Sequence, residues 1–151
     1  MNMTRRTAVT GLALMVSTKF AAAKNLPELN LSSSGLALRG YDPVAYFTQG
    51  QPVMGDASLA LSYKGGTYHF ASAEHQQMFV ENPERFLPQY GGYCAYGTAV
   101  GAKVDGDPNL WTIVDDKLYL NITRSIDRVW HRNKPRYISD ANKNWPGLQY
   151  N

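Results

Sequence analysis

The sequence predicts an α+β fold: a small antiparallel sheet of hairpins with short helices, in one domain. Strand patterns come in pairs about tight turns, in "SLALSYKGGTYHFA" and "LWTIVDDKLYLN". Helical patterns are grouped around these pairs instead of alternating strand by strand, which disfavours a parallel sheet. The length, 151 residues, suits a single core that folds without staples.

The first element is a targeting segment. Arg5 and Arg6 precede the apolar run "AVTGLALMVST", and Ala21, Ala22 and Ala23 supply small residues for cleavage after Ala23. The run is shorter than the roughly 20 apolar residues of a spanning helix, so export to the periplasm is expected and a stable membrane anchor is not. "TRRTAV" partly matches a twin-arginine signal, since Ala8 stands where a bulky apolar residue is usual; an ordinary secretory signal is the other reading. Removing this leader removes three basic residues and leaves 12 basic against 12 acidic ones. The apparent basicity therefore belongs to the leader, and nucleic acid is not an expected partner.

Residues 24–35, rich in Pro, Ser, Asn and Gly, read as an N-terminal arm, and residues 36–151 as the domain. In "GYDPVAYF", Asp42 caps a short helix with Pro43 in its first turn. Gly65 and Gly66 form the loop of the first hairpin, which pairs Tyr63 with Tyr68 and Leu61 with Phe70 and turns His69 and Ser62 to the other face. Ser72 caps the helix "AEHQQMFVEN", whose His75, Met78 and Phe79 share one face. Pro83 ends it, and "PERFLPQ" adds one turn before Gly91 and Gly92. In the second hairpin Trp111 and Ile113 meet Leu120 and Leu118 about Asp115 and Asp116. Ser125 starts a helix with Ile126, Val129 and Trp130 inward, Pro135 ends or kinks it, and a last short helix closes at Pro146 and Gly147. No internal repeat and no low-complexity tract is legible.

The chemistry centres on "QYGGYCAYG", which holds the single cysteine, Cys94. It is a buried thiol, a reactive one, a metal ligand or half of an intermolecular bridge. A nucleophile needs a base, and no local signature ties His69, His75 or His131 to Cys94, so no catalytic residue and no enzyme is expected. Thiolate with imidazole suits copper(I) or zinc, which makes Cys94, His75 and His69 the candidate ligands, though none has metal-site spacing. The competing reading has Cys94 simply packed. His75 points into apolar packing, where a backbone carbonyl is its commoner partner, and His69 lies on the polar face of a hairpin. His131 reads as a surface ion pair with Asp127. Arg124, Arg128 and Arg132 form a solvated stripe, and "GAKVDGDPN" lacks calcium-loop spacing.

"YHFASAEHQQMF" with "ENPERF" resembles the YHS domain family, whose Tyr-His-Ser set falls on Tyr68, His69 and Ser72. "GYDPVAYF", "PQYGGYCAYG", "DPNLWTIVDDKLYLN" and "NWPGL" extend the resemblance to exported bacterial members over about residues 35–148. It implies a treble-clef-like ββα core, followed here by a C-terminal hairpin and helices. It also implies relation to heavy-metal-sensing domains in which cysteines hold a metal. Those cysteines match Ala45, Ala71 and His75 of this chain. Two expectations follow: a transition-metal-binding protein, copper favoured over zinc, with a handling or sensing role; or a non-catalytic interaction domain that has lost the metal. In the second, Tyr93, Tyr96 and Trp111 form the surface for a ligand or an unknown protein partner.

Overall fold

The computed structural model describes residues 28–151; the leader expected over 1–23 and the start of the arm lie outside them. Two two-stranded antiparallel sheets and six helices make up the described residues, in agreement with the α+β expectation. The arm runs from Glu28 to a 3-10 turn at Leu38–Gly40. Helix α1 (Ala45–Thr48) follows, then hairpin β1 (Asp56–Tyr63) and β2 (Gly66–Phe70), then α2 (Ala73–Glu81) and α3 (Pro83–Phe86). A second 3-10 turn, Gln89–Gly92, leads to α4 (Ala95–Ala99), hairpin β3 (Asp107–Val114) and β4 (Lys117–Asn121), α5 (Arg124–His131) and α6 (Lys134–Leu148).

This order is the same unit twice. Register pairs of the first hairpin recur in the second: Leu61↔Tyr68 answers Thr112↔Tyr119, and Asp56↔Phe70 answers Asp107↔Asn121, with an irregularity between the two pairs in each hairpin. Isolated bridges recur as well, Leu36↔Thr67 as Pro88↔Leu118 and Tyr41↔Met54 as Tyr93↔Asp105. The Asp42 amide donates to the Val53 carbonyl at 2.8 Å, and the Cys94 amide donates to the Val104 carbonyl at 2.8 Å. Both units enter through a left-handed turn, Leu38–Gly40 and Tyr90–Gly92. Ser72 caps α2 and Thr123 caps α5 by accepting the amide of the third residue on. What the sequence reading took for a C-terminal addition is thus a second copy of the helix–hairpin–helix unit, and the expectation of no repeat is corrected.

Three local expectations also change. The first hairpin turns on Lys64 and Gly65, both with positive φ, and Gly66 enters β2. A Cβ on Gly66 would stand 3.2 Å from the Leu29 and Leu31 side chains, so this glycine makes room for the arm instead of for the turn. Pairing accordingly moves to Leu61↔Tyr68 without changing faces, because the shift preserves strand parity. Thr123, not Ser125, starts α5. Pro135 sits in the first turn of α6, where its missing N–H costs nothing, and α6 carries Pro146 in its final turn.

Each copy has its own core. Phe79 fills the first with Val44, Tyr68, Phe70 and Phe86; Trp130 occupies the equivalent place in the second with Tyr90, Ala95 and Tyr119. Leu38 and Tyr46 of the first copy pack on Leu118 and Leu120 of the second, which fuses the two. Trp130 Nε1 is the one buried side-chain polar atom without a partner among the described residues. Its counterpart Phe79 has no N–H to satisfy, so the indole occupies a position whose surroundings suit a hydrocarbon ring. No helix among the described residues is long and apolar enough to cross a membrane.

Candidate functional site

Asp42 is fully buried where α1, β2 and α2 meet. Its Oδ1 accepts the amides of Val44 (2.8 Å) and Ala45 (3.4 Å), holding the chain in a helix-initiating turn. Oδ2 accepts the Ala71 amide (2.8 Å) and faces His75 Nδ1 at 2.6 Å. Because Oδ2 is a carboxylate acceptor, Nδ1 carries the proton of that short bond. On the far side of the ring, His75 Nε2 lies 3.1 Å from Thr48 Oγ1, itself 3.2 Å from the Val44 carbonyl. Ser72 sets the ring's approach, since its hydroxyl accepts the His75 amide at 3.1 Å and fixes the first turn of α2.

Ala45, Ala71 and His75, the three positions that the family resemblance aligns with ligating cysteines, therefore all converge on one carboxylate. Two of them have no donor atom in their side chains, and the third has both ring nitrogens engaged. A metal at that place does not fit these residues. The order Thr48, His75, Asp42 is also that of a hydroxyl nucleophile, its base and an orienting acid. Thr48, however, closes α1 at the end where backbone carbonyls point outward, the wrong polarity to stabilise an oxyanion.

Cys94 occupies in the second copy the place of Asp42 in the first. It is fully buried, and its Sγ accepts the Gly97 amide at 3.4 Å as the N-cap of α4. The same sulfur lies 3.5 Å from Asn121 Oδ1, to which the thiol donates; that oxygen also accepts the Tyr96 amide at 3.2 Å. Asn121 Nδ2 donates to Asp127 (3.0 Å), and Asp127 pairs with His131 at 3.5 Å, the surface ion pair expected for those two. Burial pushes the Cys94 thiol up from its ordinary pKa, so the thiol stays protonated and poorly nucleophilic.

The structure does not bring the three sequence-predicted ligands together. Cys94 bonds within its own copy, His75 bonds to Asp42 and Thr48, and His69 on β2 makes no hydrogen bond or ion pair among the described residues. No group of three or more His, Cys, Asp or Glu among the described residues is placed to hold a metal ion. The residues of the expected partner surface each pack on a different aromatic ring. Tyr93 is buried and stacks near Trp145, Tyr96 packs on Tyr137, and Trp111 sits edge-on to Tyr46.

Sequence reasoning missed Asp42 and Thr48 as members of one polar cluster; the capping signal "DP" marks Asp42, but nothing local links it to His75. It also missed a cleft of about 280 Å³ between the two copies, lined by Leu31, Leu38, Tyr68, Pro88 and Leu120 and crossed by the arm. Burial pushes the Tyr68 hydroxyl up to a pKa of about 12. No family model, curated protein or solved structure matches the chain.

Proposed function

We propose that the protein is an exported, non-catalytic accessory or interaction domain, built on a YHS-type scaffold that no longer holds a metal at the inherited position. The observation that carries this reading is the buried Asp42 carboxylate, which gathers the Ala45 and Ala71 amides and the His75 ring where the resemblance implies ligands. The buried Asp42–His75 hydrogen bond and the amides that Asp42 accepts do the cross-linking there that a metal does in such small domains. The buried, protonated Cys94 supports the same reading, because a cap with a raised pKa is a poor thiolate donor.

The test compares copper(I) and zinc affinity of the wild type with His75→Ala and Cys94→Ala under reducing conditions. The reading requires affinity unchanged within about threefold in both, while His75→Ala loses stability by about 3–5 kcal/mol. A fall of tenfold or more in either variant refutes it. A metal-handling role is favoured separately by one observation, a His69 ring that makes no hydrogen bond among the described residues and lies near Met54, and it involves neither His75 nor Cys94.

A further inference from the structure

We propose that Met54 and His69 form a copper(I) site over Gly40, apart from the Asp42 cluster and from Cys94. A Cβ placed on Gly40 would lie 3.4 Å from Met54 Sδ and 3.6 Å from His69 Nδ1. Both donor atoms thus face one small space, bounded also by Leu36 Cδ2 at 3.3 Å from the same point. Gly40 has φ +87°, so the backbone there also disfavours a side chain.

Close packing on Gly55 sets the backbone and Cβ of His69. A Cβ on Gly55 would come 2.5 Å from His69 Cβ and 2.4 Å from its carbonyl carbon, so His69 lies directly over a second required glycine. His69 makes no hydrogen bond or ion pair among the described residues, unlike His75 and His131, each of which has a side-chain partner. Met54 is 57% exposed, in a backbone bridge with Tyr41. With three rotatable bonds its side chain can bring sulfur to an ion on the His69 imidazole. Asp56 lies within electrostatic reach of the His69 ring and adds negative potential where a cation would sit.

Thioether with imidazole selects the metal. Soft sulfur favours copper(I), whereas zinc prefers thiolate, imidazole and carboxylate. The second copy lacks these donors: Asp105 stands in place of Met54, and Leu120 stands in place of His69, its Cβ 2.8 Å from a Cβ placed on Gly106, the counterpart of Gly55.

The experiment titrates the purified full chain with copper(I) from a competing chelator under anaerobic conditions, alongside Met54→Leu, His69→Ala and Cys94→Ser, each checked for fold by circular dichroism. The wild type binds one copper(I); affinity falls at least tenfold in Met54→Leu and about 100-fold in His69→Ala, and is unchanged in Cys94→Ser. Met54→Leu replaces an exposed side chain and keeps the test valid should His69→Ala misfold. No binding, equal affinity in Met54→Leu, or loss in Cys94→Ser overturns the proposal. The last of these would also refute the reading of Cys94 above, whereas the first two would leave that reading standing.

Discussion

Removing the His75 ring leaves the Asp42 carboxylate buried without the partner 2.6 Å away, and removing the carboxylate leaves three amides and the ring unanswered. Breaking such a pair costs about 3–5 kcal/mol, mostly as the penalty on the group left behind. His75→Ala and Asp42→Ala should each lose that much in urea unfolding, and the double variant should lose clearly less than their sum. Cys94→Ser should stay near wild type, because a hydroxyl can accept the Gly97 amide and donate to Asn121 as the thiol does; Cys94→Ala should lose about 1 kcal/mol with the cap. These residues divide what sequence can and cannot show. Ser72 as a cap and His75 on the apolar face follow from local spacing. The Asp42–His75 contact spans 33 positions and depends on the hairpin folding between them, so no local pattern encodes it.

At the scale of elements, the second hairpin and the caps of α2 were legible because each rests on neighbours in sequence. Two adjacent glycines suggest the turn of the first hairpin, but Gly66 serves the arm and Lys64 accepts the left-handed turn. The repeat is not legible in the sequence for a related reason. Turn glycines and aromatic anchors correspond between copies, yet the residues that make each copy's polar node differ, Asp42 and His75 against Cys94 and Asn121. Two predictions follow from comparing the copies. Trp130→Phe installs the ring type of Phe79 and removes the orphaned indole N–H, so it should cost under about 1 kcal/mol where large-to-small core changes usually cost more. Asp116→Gly should stabilise by about 0.5 kcal/mol, since Asp116 holds φ +59° in a two-residue turn and its contact with Arg85 is exposed. Thermal unfolding of both variants checks these values.

In the whole molecule the two copies share the Leu38, Tyr46, Leu118 and Leu120 contact, so the units should unfold together. Calorimetric and van't Hoff enthalpies should then agree; two resolved transitions would show independent units. Buried tyrosines set the alkaline limit. Tyr68 is pushed up from 10.0 to about 12, and Tyr46 and Tyr90 are pushed up further by the same desolvation. Raised folded values mean that this contribution is complete below pH 10, where both states keep the proton. It is lost as pH rises toward about 12, because the unfolded chain releases protons first. Stability should fall by up to about 1.4 kcal/mol per pH unit for each such tyrosine, measured by urea unfolding between pH 9 and 12; a flat profile would count against their burial.

Asp42 and His75 form a structural pair where the YHS resemblance aligns ligands. Nitrogen-15 shifts of the His75 ring, recorded before and after addition of copper(I) or zinc, address that directly. Nδ1 should be protonated and hydrogen-bonded, and both ring nitrogens should stay unchanged when either metal is added. A coordination shift at Nδ1 or Nε2 of His75 would contradict the account.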